Sequence, residues 1–228
     1  MTTTGIPIYS IAYPDQVPEG IFASLLGRVP MSIARKVSTF RRWEDRHASL
    51  FGKLLLMTAL EDAGLPPDLG DLQYTPFGRP FLANSPDFNI SHSGNRVACV
   101  LSRQGEVGID LERIKELAIG DFRNQFTERE WAAINGAPDP LPVFYHYWTA
   151  KEAIIKADGR GLSMPLPLDQ LRVEQDTVVD TGDRRWHICR ISCFEGYACH
   201  IATEMPMAPP ILKEMSLAEL LERRREVR

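Results

Sequence analysis

The run from Phe88 to Glu112 constrains this chain more than any other part of it. Three apolar stretches, "FNISHS", "RVACVLSR" and "EVGIDLE", follow one another with only "SGN" and "QG" between them. Each reads as a strand, and both connections read as hairpin-like. Two long helical patterns flank this block. In "FRRWEDRHASLFGKLLLMTALEDAG", Phe40, Trp43, His47, Leu50, Leu54 and Met57 recur at helical spacing, and Gly64 supplies the stop. "PVFYHYWTAKEAIIKADG" predicts a second helix from Val143 to Asp158, stopped by Gly159.

Shorter signals fill in the outline. "IPIYSIAY" reads as a first strand and "LQYT" as a short one. Thr127 with Glu130, and Ser216 with Glu219, are capping boxes that start two further helices. "LRVEQ", "RWHICRIS" and "YACHIAT" read as strands, and the Pro-rich "MPMAPP" leads to the tail helix, whose basic end reads as structure. The class is α+β. A boundary near Gln104–Gly105 divides the chain into subdomains 1–104 and 105–228.

Composition excludes several classes of function. The 228 residues carry a net charge of -4, so the surface as a whole does not bind polyanions, and a phosphate site needs a local basic patch. No nucleic-acid partner is expected. No apolar run approaches the roughly 18 residues of a membrane span. The N-terminus lacks a basic segment followed by an apolar one, so a cytoplasmic location is expected.

Cys189, Cys193 and Cys199 lie near His187 and His200 and raise a zinc reading. Strand alternation argues against it. His187, Cys189 and Cys193 share one face, while Cys199 and His200 point oppositely, and no C-x-x-C pair is present.

Asp110 and Glu112 stand two apart on a strand and so project together, with Ile109 and Leu111 facing the other way. Such a pair is either half of a divalent-metal site, since Mg²⁺ takes hard oxygen ligands, or an accident of an exposed strand. On the second helix Trp148, Glu152 and Lys156 lie four apart and share a face. They form either a surface pair or a third carboxylate and a phosphate-neutralising cation. Arg42, Arg46, Ser49 and Lys53 share a face of the first helix, which reads as solvated or as a basic patch. His92 beside Ser91 is a loop histidine or a phosphate donor. A Ser–His hydrolase lacks the G-x-S-x-G elbow.

Together, "NISHSG", "VGIDLE", "FTEREW" and "WTAKEAIIKADGRGLS" resemble the 4′-phosphopantetheinyl transferases of the Sfp type. The resemblance runs from Phe40 to Leu168. It implies two similar α/β subdomains in one chain, related by a pseudo-two-fold axis and working as a monomer. It implies transfer of the phosphopantetheine arm of coenzyme A to a serine of an apo acyl or peptidyl carrier protein, with Mg²⁺ as cofactor and adenosine 3′,5′-bisphosphate released.

By position, Asp110, Glu112 and Glu152 match the metal acids. Lys156 matches the lysine near the pyrophosphate, and Ser91 with His92 matches a phosphate-binding turn. Arg79 matches the basic residue at the adenosine end, Ser49 a hydroxyl by the nucleotide, and Lys36 a phosphate contact. Arg46 stands in for a charge lost where Ala48 and Ser49 replace Arg-Thr, and Ile33 stands where some members are basic. Glu152, or a water that it orients, would be the base, and Lys156 would meet the leaving phosphate. Leu117 and Phe122, among Arg113, Lys115 and Arg123, offer a docking surface for the carrier. Two other classes remain open: a non-catalytic coenzyme A or carrier-protein binding module, and a Mg²⁺-dependent phosphohydrolase.

Overall fold

The computed structural model describes residues 5–13, 15–161, 178–180 and 184–223. Two four-stranded sheets organise it. β1 (Pro7–Ala12), β4 (Asp87–Ser93), β5 (Arg96–Ser102) and β10 (Ile211–Glu214) form the first, in the order β10-β1-β5-β4. β6 (Val107–Arg113), β7 (Val178–Asp180), β8 (Arg185–Arg190) and β9 (Tyr197–Thr203) form the second, in the order β6-β9-β8-β7. A small ribbon pairs β2 (Gln73–Tyr74) with β3 (Pro80–Phe81). The chain passes from the first sheet to the second at β6. It then returns, so that β10 lies parallel to β1.

Each sheet carries one long helix. α3 (Trp43–Asp62) buries Leu50, Phe51, Leu54, Leu55 and Met57 against the first sheet. α5 (Pro140–Asp158) buries Ala150, Ala153, Ile154 and Ala157 against the second. Its small residues let helix and strand approach closely. Gly159 ends α5 in a left-handed conformation (φ 78°), which glycine adopts without strain. Both capping boxes form, at Thr127–Glu130 for α4 (Glu128–Gly136) and Ser216–Glu219 for α6 (Leu217–Glu222).

Several expectations change. The "QG" connection is not a hairpin. β5 already has β1 on one edge and β4 on the other, so β6 cannot pair with it and joins β9 instead. Periodicity leaves the first 40 residues without a helix, yet α1 (Glu19–Leu26) and α2 (Met31–Thr39) lie there. Each is too short to show a full apolar stripe, but a proline, Pro18 or Pro30, stands at its start. α3 begins at Trp43 rather than Phe40, because Phe40 and Arg42 are extended. β10 and a 3₁₀ helix at Ile119–Gln125 were likewise not signalled. The expected strand "LRVEQ" lies outside the described residues. No helix among those described is long and apolar enough to cross a membrane.

Candidate active site between the two sheets

Burial dictates how β6 is held. One face, Val107, Ile109 and Leu111, packs with Ile8, Ala98 and Val100 of the first sheet. The other face carries Gly108, Asp110 and Glu112 and looks onto α5. Gly108 sets that distance. A Cβ there would stand 2.1 Å from the Ala153 carbonyl oxygen and 2.4 Å from the Ala157 nitrogen. The glycine thus lets α5 rest directly on the strand, and this brings Glu152 and Lys156 to Asp110 and Glu112.

One edge of β6 pairs with β9. The N–H groups on its other edge go to side chains of β4. Val107 N–H donates to Asp87 Oδ2 (2.8 Å) and Ile109 N–H to Asn89 Oδ1 (3.1 Å). Leu111 N–H donates to Ser91 Oγ and Arg113 N–H to Ser93 Oγ, each at 3.1 Å. The alternation Asp87, Asn89, Ser91, Ser93 in "DFNISHS" is therefore a row of acceptors for a second sheet's edge. It satisfies buried backbone donors that would otherwise cost heavily.

The two serines also orient the two acids. Ser91 Oγ donates to Asp110 Oδ1 (3.2 Å), and Ser93 Oγ donates to Glu112 Oε2 (2.6 Å). Each serine thus takes the N–H that follows an acid and returns its own O–H to that acid. The i, i+2 spacing of S-H-S matches that of D-L-E, which is the sequence signal for Ser93, a residue the sequence reading did not single out. Lys156 Nζ completes the cluster, 2.5 Å from Asp110 Oδ1 and 3.1 Å from Ser91 Oγ. Ser91 has then used its donor and both lone pairs.

The charges are unevenly balanced. Asp110 is buried, and its Oδ2 has no hydrogen-bond partner. Burial pushes the Glu152 carboxyl above the usual range, Asp110 and Glu112 push it further, and Lys156 opposes them. Burial likewise raises Glu112 and Asp110 adds to it, against the Ser93 hydrogen bond. Three acids thus share one small space with one lysine. Among the described residues no three His, Cys, Asp or Glu side chains stand as a ready-made metal cage. Lys156 and Ser93 occupy Asp110 and Glu112.

The other expected site residues divide into two groups. Lys36 is exposed on α2, with Nζ 3.2 Å from Tyr74 Oη and 4.4 Å from that ring's centre. Ser49 is half-buried on α3. His92 keeps surface open to solvent, yet crowding at its ring pushes its pKa down, and Lys156 and Lys53 add to that. Of the two arginines, Arg79 is committed elsewhere. Arg79 turns inward and uses four of its five donors: Nε to the Lys156 carbonyl (2.9 Å), Nη1 and Nη2 to Asp87 (2.9 and 2.6 Å), and Nη2 to the Val107 carbonyl (2.9 Å). It clamps β4, β6 and α5 together. Arg46 lies 4.9 Å over the Phe22 ring and 3.8 Å from Glu19, both on α1. Ile33 is buried in the core.

Lys151, next to Glu152, faces away from this cluster. Its Nζ lies 2.6 Å from Glu130 Oε2 and 2.9 Å from the Gln125 carbonyl, with both side chains buried. The same Glu130 carboxylate accepts from Thr127 N–H (2.9 Å) in the capping box. "FTERE" and "TAKEA" are thus joined by one buried ion pair, which fixes α4 against α5. Phe122 packs edge-on to Phe144 (5.5 Å) and Trp148 (5.3 Å), and Leu117 joins the same cluster.

A family model described as the 4′-phosphopantetheinyl transferase superfamily matches residues 106–202, which include β6 and α5. The chain is 31% identical over 196 residues to 4′-phosphopantetheinyl transferase Sfp of Bacillus subtilis (strain 168), covering 82% of this chain and 87% of that protein. It is 28% identical over 200 residues to 4′-phosphopantetheinyl transferase gsp of Aneurinibacillus migulanus, covering 85% and 84%. A crystal structure of Thermotoga maritima holo-[acyl-carrier-protein] synthase aligns over 42% of this chain and 61% of that one, at 18% identity and a TM-score of 0.36, a likeness too partial to bear on the fold. With a relative this similar matched over most of its length, the chain belongs to the Sfp-type 4′-phosphopantetheinyl transferases.

Proposed function

We propose that the chain moves the 4′-phosphopantetheine arm of coenzyme A onto a serine hydroxyl of an apo carrier protein. The serine oxygen bonds to the phosphorus that bears the arm, the P–O–P link breaks, and adenosine 3′,5′-bisphosphate leaves. The observation that carries this reading is the meeting of Glu152 and Lys156 with Asp110 and Glu112, made possible by Gly108.

The donor set fits Mg²⁺. Three carboxylates are hard oxygen donors, and Asp110 Oδ2, buried without a partner, is an acceptor in want of a cation. Asp110, Glu112 and Glu152 would hold the ion. When bound, it would offset charge on the pyrophosphate and polarise the phosphorus.

The chain's own groups do the rest. Lys156 meets the negative charge that grows on the leaving phosphate. Glu152, whose pKa is raised, is a better proton acceptor near neutral pH than an ordinary carboxylate, which suits the base for the carrier serine. Ser91 and Ser93 keep the β6 acids aimed. Lys36, Ser49 and His92 line the coenzyme A side. Arg79 and Arg46 serve through position, Arg79 by setting α5 on β6. All of these groups lie in one copy, so we read the working unit as a monomer.

Intact-mass analysis of an apo carrier protein incubated with coenzyme A, Mg²⁺ and this chain is the test. The expected product is the carrier plus one phosphopantetheine. Unchanged carrier with coenzyme A bound would leave a binding module, and hydrolysed coenzyme A alone would leave a phosphohydrolase.

A further inference from the structure

We infer that the buried pair Lys151–Glu130 is a positioning device: it fixes the rotation of α5 about its own axis, and with it the place of the Glu152 carboxylate. The inference rests on the transferase reading above.

The three acids of the cleft are not held alike. Ser91 and Lys156 hold Asp110, and Ser93 holds Glu112. Among the described residues, the half-buried Glu152 carboxylate has neither a hydrogen bond nor an ion pair. Its place is therefore set by the helix that carries it.

Two contacts fix that helix. Toward the second sheet α5 presents Ala150, Ala153 and Ala157, and Gly108 sets how near it lies to β6. Alanines make low ridges, which hinder rolling less than large side chains do. Lys151 supplies the missing direction. It is the neighbour of Glu152, so the two side chains leave the helix about 100° apart. Its Nζ stands 2.6 Å from Glu130 Oε2, 2.9 Å from the Gln125 carbonyl oxygen and 5.1 Å from the centre of the Phe126 ring. One ammonium thus ties α5 both to α4 and to the end of the 3₁₀ helix. Glu130 is itself fixed. The same Oε2 accepts from Thr127 N–H at 2.9 Å, and Glu130 N–H donates to Thr127 Oγ1 at 3.1 Å.

Magnitudes favour a positioning role over a stabilising one. A buried ion pair is seldom more stable than an apolar pair of similar volume, so its charges are a poor means of holding α4 on α5. What it adds is direction. A side-chain end about 5–6 Å from the helix axis moves about 2 Å when the helix rolls by about 20°. A misplacement of about 1 Å is enough to cost on the order of 100-fold in rate.

Two variants of the full chain separate position from stability. Glu130→Gln removes the negative charge, yet its Oε1 can still accept from both Thr127 N–H and Lys151 Nζ. It should melt at a lower temperature, because the lysine charge is left uncompensated, while kcat stays within about threefold. Lys151→Met combined with Glu130→Gln keeps the capping box, which accepts Gln at that position, but removes every bond from Nζ. This pair should melt higher than Glu130→Gln alone, yet lose about 30–100-fold in kcat. Its Kd for Mg²⁺, titrated into the chain saturated with coenzyme A, should rise by about tenfold or more, while the Kd for coenzyme A without Mg²⁺ stays within about twofold. Rate and stability then move in opposite directions, which a purely structural pair does not produce. Normal kcat and Mg²⁺ affinity in the double variant, or a kcat that follows the melting temperature, overturns the proposal. If the double variant does not fold, Lys151→Leu with Glu130→Gln makes the same comparison. Failure of the natural chain to transfer the arm would sink the transferase reading itself, while the Mg²⁺ titrations would still report where Glu152 stands.

Discussion

Lys156 Nζ lies 2.5 Å from Asp110 Oδ1, and the other oxygen of that buried carboxylate has no partner. One lysine thus holds half of one acid in a space shared by three. This imbalance has an energetic cost that the fold must carry, and it makes specific variants more stable than the natural chain.

Glu152→Gln should raise stability at pH 7.5 while transfer is lost. The Glu152 pKa is raised by burial and then by Asp110 and Glu112, so its ionised form is unfavourable in the fold. A raised carboxylate lowers stability above its folded pKa, and the penalty disappears below the unfolded value of about 4.3. The gain should therefore be on the order of 1 kcal/mol at pH 7.5, since the group is only half-buried, and absent at pH 4. Urea unfolding of both proteins at the two pH values measures it. A loss of stability at pH 7.5 would mean that Glu152 is satisfied where it stands.

Ser91→Ala and Ser93→Ala should each lower kcat by about 10–100-fold, as loss of a group that orients a metal acid does. Ser93→Ala should leave the Kd for coenzyme A within about twofold, because Ser93 touches Glu112 and a backbone N–H and no cation. Titration calorimetry beside steady-state kinetics separates the two quantities. Normal turnover in Ser93→Ala would mean that Glu112 does not depend on this hydrogen bond.

Much of this was legible in the sequence because it rests on local periodicity. Asp110 and Glu112 share a face by strand alternation, Glu152 and Lys156 by helical spacing, and Gly159 and the two capping boxes stand where the stop and start signals place them. What the sequence did not carry is partner choice across the fold. "QG" looks like any tight turn, and only the full edges of β5 force β6 into another sheet. Arg79 looks like any cleft cation until Asp87 and the Val107 and Lys156 carbonyls surround it. Each of these depends on a contact between residues far apart in the chain.

Phe122→Asp should damage the whole site rather than carrier docking alone. The sequence placed Phe122 on an exposed docking surface, but its ring packs on Phe144 and Trp148, and Trp148 lies one turn before Glu152. A carboxylate placed there costs about 3 kcal/mol or more. The melting temperature should fall, and KM for coenzyme A and for carrier should rise together. An unchanged melting temperature with a selective rise in the carrier KM would return Phe122 to the docking surface.

His200 should make the fold acid-sensitive. It stands opposite Asp110 on β9, is buried, and has Nδ1 2.7 Å from Thr149 Oγ1 while Nε2 has no hydrogen-bond partner. Burial holds its pKa well below the usual range, and His146 and Arg190 act in the same direction. The unfolded chain therefore binds a proton near pH 6.5 that the folded chain refuses. Stability is full above that value and falls as the pH drops toward the folded pKa. Between pH 7.5 and 5.5 this one group should remove about 1.4 kcal/mol. His200→Asn cannot titrate, so its loss over the same interval should be smaller by about that amount. Comparing the two proteins cancels the opposing contributions of Glu112 and Glu152, whose raised pKa values favour the fold as the pH falls. Urea unfolding at the two pH values decides. Equal losses in both proteins would mean that His200 takes up its proton in the fold, with a partner for Nε2 that this arrangement lacks.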